Sequence, residues 1–373
     1  MPETIFTTEN LIKAYLDCRK SKRQTTNALK YELDLENNLD TLRNQLASRT
    51  YEPSRSIRFI VTVPKPREIF AADFSDRVVH HVLINEIENL WEKDIFIVNS
   101  YACRKEKGHH FGVKRVFIFA KNYQYFGQFD IANFFSNIDK SVLFKLIKDV
   151  VVKQKKPDWW KNDILWLVRA IIFNDPTVNY LYKGNPGLVN LLPKGKSLLD
   201  QDKGTGLPIG NLTSQFFANV YLNELDHYVT ENLKIPAYGR YVDDFLVFCN
   251  NKREIIKARN RIQIFLVERL KLILHPKKQQ IQLTCHGIPF VGYFIKPWGI
   301  TIRRNVVRTA KNKIYRFNKS GEVRKAVVSL NSYFGHFGKA KSAHLRKHLI
   351  EKHLCSEIKS QITVIGNWHH LGS

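Results

Sequence analysis

Two adjacent carboxylates, Asp243 and Asp244, sit inside the stretch RYVDDFLVF at 240–248. The flanking residues are apolar and aromatic, and they predict two strands, 236–242 and 245–249, joined by a tight turn. The pair then stands at the tip of a buried hairpin. Uncompensated charge there is costly, and a bound cation is the natural remedy. A third carboxylate, Asp130, ends the run YFGQFD in a strand predicted over 125–132. Strand alternation in a shared sheet can bring it beside the hairpin tip. Hard oxygen ligands from two separate segments suit Mg²⁺, which keeps several waters and takes substrate phosphates. Two such ions can run a nucleotidyl transfer. One lowers the pKa of an attacking 3′-hydroxyl, and the other holds the triphosphate.

Net charge points to the same chemistry. The chain carries 59 Lys+Arg against 34 Asp+Glu, a net +25 over 373 residues. From Lys296 onward there are 16 Lys/Arg and three acids (Glu322, Glu351, Glu357), so +13 lies in the last 78 residues. A basic tract of this size usually meets a polyanion, and binding to a phosphate backbone is salt-sensitive. With 44% hydrophobic residues the chain can build a sizeable core. No apolar run reaches membrane-spanning length, and the first residues, MPETIFTTEN, lack a secretory pattern. Five scattered cysteines with no C-x-x-C pair read as reduced thiols, so a cytoplasmic protein is expected.

The elements that must position the acids can be read from periodicity. Helices are expected over 8–22, 28–49, 73–92, from Asp139 to about 152, over 158–173, 208–229 and 252–271. Strands are expected at 57–64, 279–284, 289–295 and 299–303. Residues 174–206 read as a long loop rich in Gly, Pro, Asn and Lys, and so long a loop is often functional. The tail, 305–353, reads as three helices broken near Gly321 and Gly338. His109 and His110 could suggest a metal, but no third ligand is spaced for it, so packing or contact with a substrate backbone is the expectation.

Taken in order, GQFDIANFFSNID (127–139), GLPIGNLTSQ (206–215), YVDDF (241–245), HPKKQQI (275–281) and GIPFVGYFI (287–295) resemble motifs A to E of a reverse transcriptase. Upstream, VPKPREIFAADFSDRVVHHVL and SYACRKEKGHHFGVKRV resemble the fingers motifs of group II intron-like bacterial enzymes. The resemblance runs from about residue 57 to 350. It implies an α+β right hand: an N-terminal helical extension (1–56), fingers (57–123), a palm of antiparallel sheet and helices (124–295), and a basic helical thumb with a C-terminal tail (296–373).

The resemblance also implies roles. Asp130, Asp243 and Asp244 match the ligands of two Mg²⁺ ions, and Lys278 matches a lysine that protonates pyrophosphate, with Lys277 adjacent. Lys65 and Arg67 match basic residues on the incoming triphosphate, where a guanidinium fork suits the job. Phe135 matches the bulky gate against a ribose 2′-hydroxyl, which implies dNTP use. Ile131 and Gly210 belong to the same dNTP site. Gly292 and Tyr293 match the turn that grips a primer.

Subclass rests on IGNLTSQ. Ile209-Gly210 and Ser214-Gln215 stand where intron and retron enzymes usually read Gln-Gly and Ser-Pro. This resembles the reverse transcriptases of diversity-generating retroelements, as does LNSYFGHFGKAKSAHLRKHL (330–349). The implied activity is error-prone, adenine-mutagenic cDNA synthesis from a template-repeat RNA, with Ile209 and Gln215 bearing on fidelity. The implied partners are RNA, cDNA, dNTPs and a small basic helical accessory protein that forms a ring, in a bacterial or phage setting. The alternatives are a defence-associated or other group II-like enzyme of ordinary fidelity, to which the long loop points, an RNA-dependent RNA polymerase, and a polymerase-like scaffold that only binds RNA. Phe135 counts against the RNA polymerase, and the intact acids count against the scaffold.

Overall fold

A computed structural model of the chain describes residues 3–20 and 23–365. The expected tail beyond residue 365 lies outside them. The chain opens with helices α1 (Thr8–Arg19), α2 (Thr26–Glu32) and α3 (Leu35–Ala47). Periodicity predicts one helix over 28–49, but the chain breaks at Asp34, whose φ of −137° and ψ of 55° are not helical. The Asp34 carboxylate accepts from the Asn37 side chain. Short polar side chains of this kind compete with helical backbone bonds.

Strand β1 (Ser56–Val61) pairs antiparallel with β2 (Arg67–Ala71), a strand that periodicity does not announce. Helix α4 (Phe74–Asp94) follows, capped by Asp73 and burying the expected stripe through Val79, Leu83 and Ile87. Helix α5 (His109–Asn122) is likewise absent from the periodic reading. Beyond it, β3 (Tyr125–Ile131), a short helix α6 (Phe134–Asn137), α7 (Lys140–Val152) and α8 (Asp158–Phe173) come in sequence. Asp139 caps α7 as expected, accepting from the Val142 N–H at 2.8 Å.

Segment 174–206 is more ordered than a loop. Its strand β4 (Tyr180–Tyr182) adds to β1 in parallel. Glu68 fastens the remainder, accepting from the Ser197 hydroxyl at 2.9 Å and the Leu198 N–H at 2.7 Å while paired with buried Arg58. Helix α9 (Leu212–His227) begins four residues after Pro208, not at it. Gly210, at φ +122°, interrupts any earlier start. A Cβ there would meet Ile69 at 2.8 Å, so the glycine is required by both conformation and space.

The central sheet has the order β5-β6-β3-β7, all antiparallel, with β5 (Ala237–Tyr241), β6 (Asp244–Cys249) and β7 (Leu274–Leu283). Both faces are covered. Phe129, Phe245, Val247 and Tyr238 pack toward α9 and α10 (Lys252–Leu270). Phe126, Leu246, Phe248 and Ala237 face α5 and a second small sheet. That sheet is β8 (Ile288–Phe290), β9 (Tyr293–Lys296) and β10 (Gly299–Ile302). The expected single strand 289–295 is a hairpin, turned at Val291 (φ 36°) and Gly292 (φ 90°).

Helices α11 (Arg304–Ser320), α12 (Val323–Phe337), α13 (Ala343–His353) and α14 (Ser356–Ile365) end the described chain. Three were expected; α14 is a fourth. The breaks at Gly321 and Gly338 fall where expected. These helices share a core of their own around Ile314, Leu330, Phe334, Phe337 and Leu349. Arg304, Arg308, Arg316 and Lys319 stay exposed on α11. No described helix is long and apolar enough to cross a membrane.

Candidate active site

The register of β3 against β6 places Asp130 directly opposite Asp244. The turn between β5 and β6 holds only Val242 and Asp243, since Tyr241 already pairs with Asp244. Val242 has φ +58°. A β-branched residue in this region is a genuine outlier, and such strain gathers at functional sites. Arg240 braces the turn. Its guanidinium donates to the Val242 carbonyl at 3.0 Å and makes two bonds to Asp226, at 2.7 and 2.6 Å. Both Arg240 and Asp226 are fully buried. The strand before the acids is thus pinned to α9 by an enclosed ion pair.

The three carboxylates crowd one another. Desolvation raises the pKa of Asp243, with nearby Asp130 adding to it. Desolvation likewise pushes Asp244 up to about 7, and the charges of Asp243 and Asp130 reinforce the shift. Gln128 opposes it by donating to both Asp244 oxygens at 3.0 Å, with a third bond to the Pro289 carbonyl. Lys278 lies 2.9 Å from one Asp130 oxygen and 3.0 Å from the other. Half-buried acids crowded together at a cleft, with Asp243 and Asp244 raised by desolvation and by neighbouring charge, are a set that a divalent cation relieves.

That cleft has a volume of about 480 Å³. Asp130, Asp243, Asp244 and Lys278 line it. So do Arg67, Ile131, Phe135, Ile209, Gly210 and Gln215. Arg67, at the start of β2, is near enough to lower the pKa of Asp243. Phe135 is half-exposed beside buried Phe134, so it presents a ring to the cleft while still resting on the core. Ile131 is almost wholly buried at the cleft wall. Three of the sequence-derived residues lie elsewhere. Lys65 is exposed on the β1–β2 connection and does not line the cleft. Gly292 and Tyr293 stand in the β8–β9 hairpin, and Tyr293 is fully buried, its hydroxyl bound to the His336 carbonyl at 2.7 Å.

Other residues join the site without having been anticipated. Lys196 reaches the cleft from segment 174–206, and no spacing signal announces it. His275, on β7, lines the cleft too. Gln128 was legible in principle, because it precedes Asp130 by two and so shares its face of the strand.

Residues 63–295 match the reverse transcriptase (RNA-dependent DNA polymerase) family, more than half of the chain. The chain belongs to that family. It is also similar to Protein YkfC of Escherichia coli (strain K12), at 24% identity over 297 residues, covering 68% of this chain and 70% of that protein. Membership of the reverse transcriptases supports RNA-directed DNA polymerase activity, with an RNA template and dNTPs as substrates. Reverse transcriptases generally use divalent metals, and the crowded carboxylates of this chain fit that requirement.

Proposed function

We propose that this reverse transcriptase makes error-prone cDNA from a template-repeat RNA, as in a diversity-generating retroelement. The observation that carries the polymerase reading is the meeting of Asp130, Asp243 and Asp244 at one cleft with Arg67, Lys278 and Phe135. Two Mg²⁺ ions at the carboxylates would supply activation of the 3′-hydroxyl and neutralise the leaving pyrophosphate. Arg67 and Lys196 bring positive charge for the triphosphate. Phe135 stands where a ribose 2′-hydroxyl would have to fit. Lys278 is placed to hold or deliver a proton near the acids.

In this reading residues 57–123 serve as fingers, 124–295 as palm and 296–373 as a basic thumb along the template–product duplex, behind the N-terminal helical extension of 1–56. Such charge holds a backbone but cannot choose one RNA. Selection then falls to an accessory protein, small, basic and helical. The subclass rests on Ile209, an apolar side chain in the cleft where relatives usually carry an amide.

Primer extension on RNA and DNA templates, with dNTPs or NTPs, followed by sequencing of the product tests the proposal. DNA synthesis on RNA, dNTP preference and frequent errors opposite template adenines are expected. Equal, low error at all four bases would replace the retroelement reading with an ordinary-fidelity enzyme, for which the ordered segment 174–206 is the supporting feature. RNA synthesis would replace the DNA-polymerase reading with an RNA polymerase, and no synthesis would remove the polymerase assignment.

A further inference from the structure

His109 and His110 open helix α5 directly after Gly108. His336 lies one residue before the end of α12. Sequence spacing offers the first two no third partner, yet the fold supplies one. One ligand atom from each of the three rings lies within 4.8 Å of the other two. Ring centroids are 3.9 Å apart for His109 and His110, and 5.7 and 6.4 Å from these to His336. All three are half-buried. The Nε2 atoms of His110 and His336 are enclosed without a well-formed hydrogen bond, with the Gly292 backbone adjoining the His336 ring. Enclosed polar atoms are ordinarily satisfied, so two poorly satisfied ones side by side need a cause.

We infer that His109, His110 and His336 form a binding site for a transition-metal dication of the zinc class, which ties α12 to α5 behind the β8–β9 turn. Imidazole nitrogen is a preferred ligand of such ions. Three of them with a water in the fourth position make a tetrahedral site. Ideal zinc geometry draws the nitrogens to about 3.3 Å from one another, a closure that modest ring rotations supply. The rings are ready for it. Burial pushes the pKa of all three rings down from the usual histidine value. Lys114 and Lys339 add positive charge near His110, which weakens the site without blocking it. Hard-ligand ions such as Mg²⁺ are disfavoured here, since no described carboxylate joins the cluster.

The location gives the site a consequence. The His336 ring lies 4.2 Å from that of Tyr293, and a Cβ on Gly292 would come within 2.9 Å of its Nε2. A metal held here fixes the β8–β9 turn, the start of α5 and the terminal helices relative to one another. This inference does not depend on the polymerase reading.

The test uses the purified full chain, stripped with a chelator and titrated with Zn²⁺ and Co²⁺ in excess Mg²⁺. One equivalent of Zn²⁺, the visible absorption of four-coordinate Co²⁺ and a raised Tm are expected. His336→Ala and His109→Ala should each weaken Zn²⁺ binding by more than about a hundredfold, beyond the loss typical of an outer partner. Asp243→Asn should leave the equivalent intact. A wild-type chain that takes up no Zn²⁺ would overturn the inference whatever the variants do. So would binding that survives both histidine changes or disappears in Asp243→Asn, which would assign the ion to another site.

Discussion

Lys278 and Asp130 form an ion pair across β7 and β3, with the ammonium nearly equidistant from both carboxylate oxygens, at 2.9 and 3.0 Å. The lysine therefore occupies the charge-neutralising place that a cation would take. Two effects of removing it can be separated. A positioned acid contributes on the order of 10²–10⁴ to a rate. A competing ammonium raises the metal concentration required. Lys278→Met should slow single-turnover incorporation by at least about a hundredfold, while lowering the Mg²⁺ concentration for half-maximal rate. An unchanged rate with an unchanged Mg²⁺ requirement would leave Lys278 no part in the chemistry.

Asp243→Asn removes a charge with little change of shape. DNA synthesis should fall below detection, by more than about 10³-fold. The folded chain should not suffer for it. Desolvation and Asp130 both disfavour the Asp243 charge, so without metal its loss relieves repulsion. Tm in chelator should be equal to or above that of wild type. Synthesis at near wild-type rate would remove the active-site assignment.

The buried Arg240–Asp226 pair is a stability element. Its charges sit 2.6 Å apart with essentially no exposure. Tyr238 adds a hydroxyl bond to Asp226 at 2.7 Å, and Asn219 and Ser100 complete the guanidinium. Breaking one side leaves an uncompensated buried charge, which costs about 3–5 kcal/mol. Urea unfolding of Asp226→Asn should show a loss of that size. A loss under about 1 kcal/mol would mean that the pair is solvated or replaceable.

These two acidic constellations differ in how far the sequence reveals them. Asp243 and Asp244 interrupt apolar strands, and such a conflict with local preference is visible in one dimension. Asp130 needs only strand alternation and a shared sheet. Asp226, by contrast, sits on a helix where a charge looks ordinary, and its partner Arg240 looks like the edge of a strand. Nothing local says that the fold encloses both. The same holds for His336, which only tertiary packing brings to His109 and His110. Strand β2 and the ordered parts of segment 174–206 escape for a related reason. Segment 174–206 has its partners, β1 and Glu68, far away in sequence, whereas β2 pairs with its neighbour β1 but is a short strand after a Pro-rich turn, and such strands carry little periodic signal.

His80 makes stability depend on pH. It is buried in α4, its Nδ1 has no partner, and burial lowers its pKa to about 3, with His81 and Arg77 acting in the same direction. The unfolded chain therefore protonates near pH 6.5 while the folded chain does not until about pH 3. In that window the unfolded state binds the extra proton, so stability falls as pH falls, by about 1.4 kcal/mol per unit from this group. Nearby Asp76 has a raised pKa and acts in the opposite sense. Comparison with His80→Gln isolates the histidine. Between pH 6 and 4 the unfolding free energy of the variant should fall less steeply by about that amount per unit. Parallel curves would show that folded His80 protonates as readily as unfolded His80, with an acceptor holding the charged ring.

Ile209 gives the sharpest functional prediction. Its carbonyl accepts from the Phe70 N–H at 3.1 Å, which locks the backbone, and its side chain borders the cleft. Isoleucine has no side-chain donor or acceptor and is stiff at χ1, so it offers shape without a polar check. A glutamine here could hydrogen-bond around the nascent pair. One such bond is worth about 0.5–1.5 kcal/mol, up to about tenfold in discrimination at a single step. Looser discrimination follows from the missing amide; the choice of adenine follows from the resemblance to diversity-generating enzymes. Sequencing of cDNA made by wild type and by Ile209→Gln separates the two parts. The variant should show up to about tenfold fewer errors opposite adenine at a similar synthesis rate. An unchanged error spectrum in Ile209→Gln would move the source of infidelity away from this position, and Gln215, exposed on the same cleft wall, would be the next residue to change.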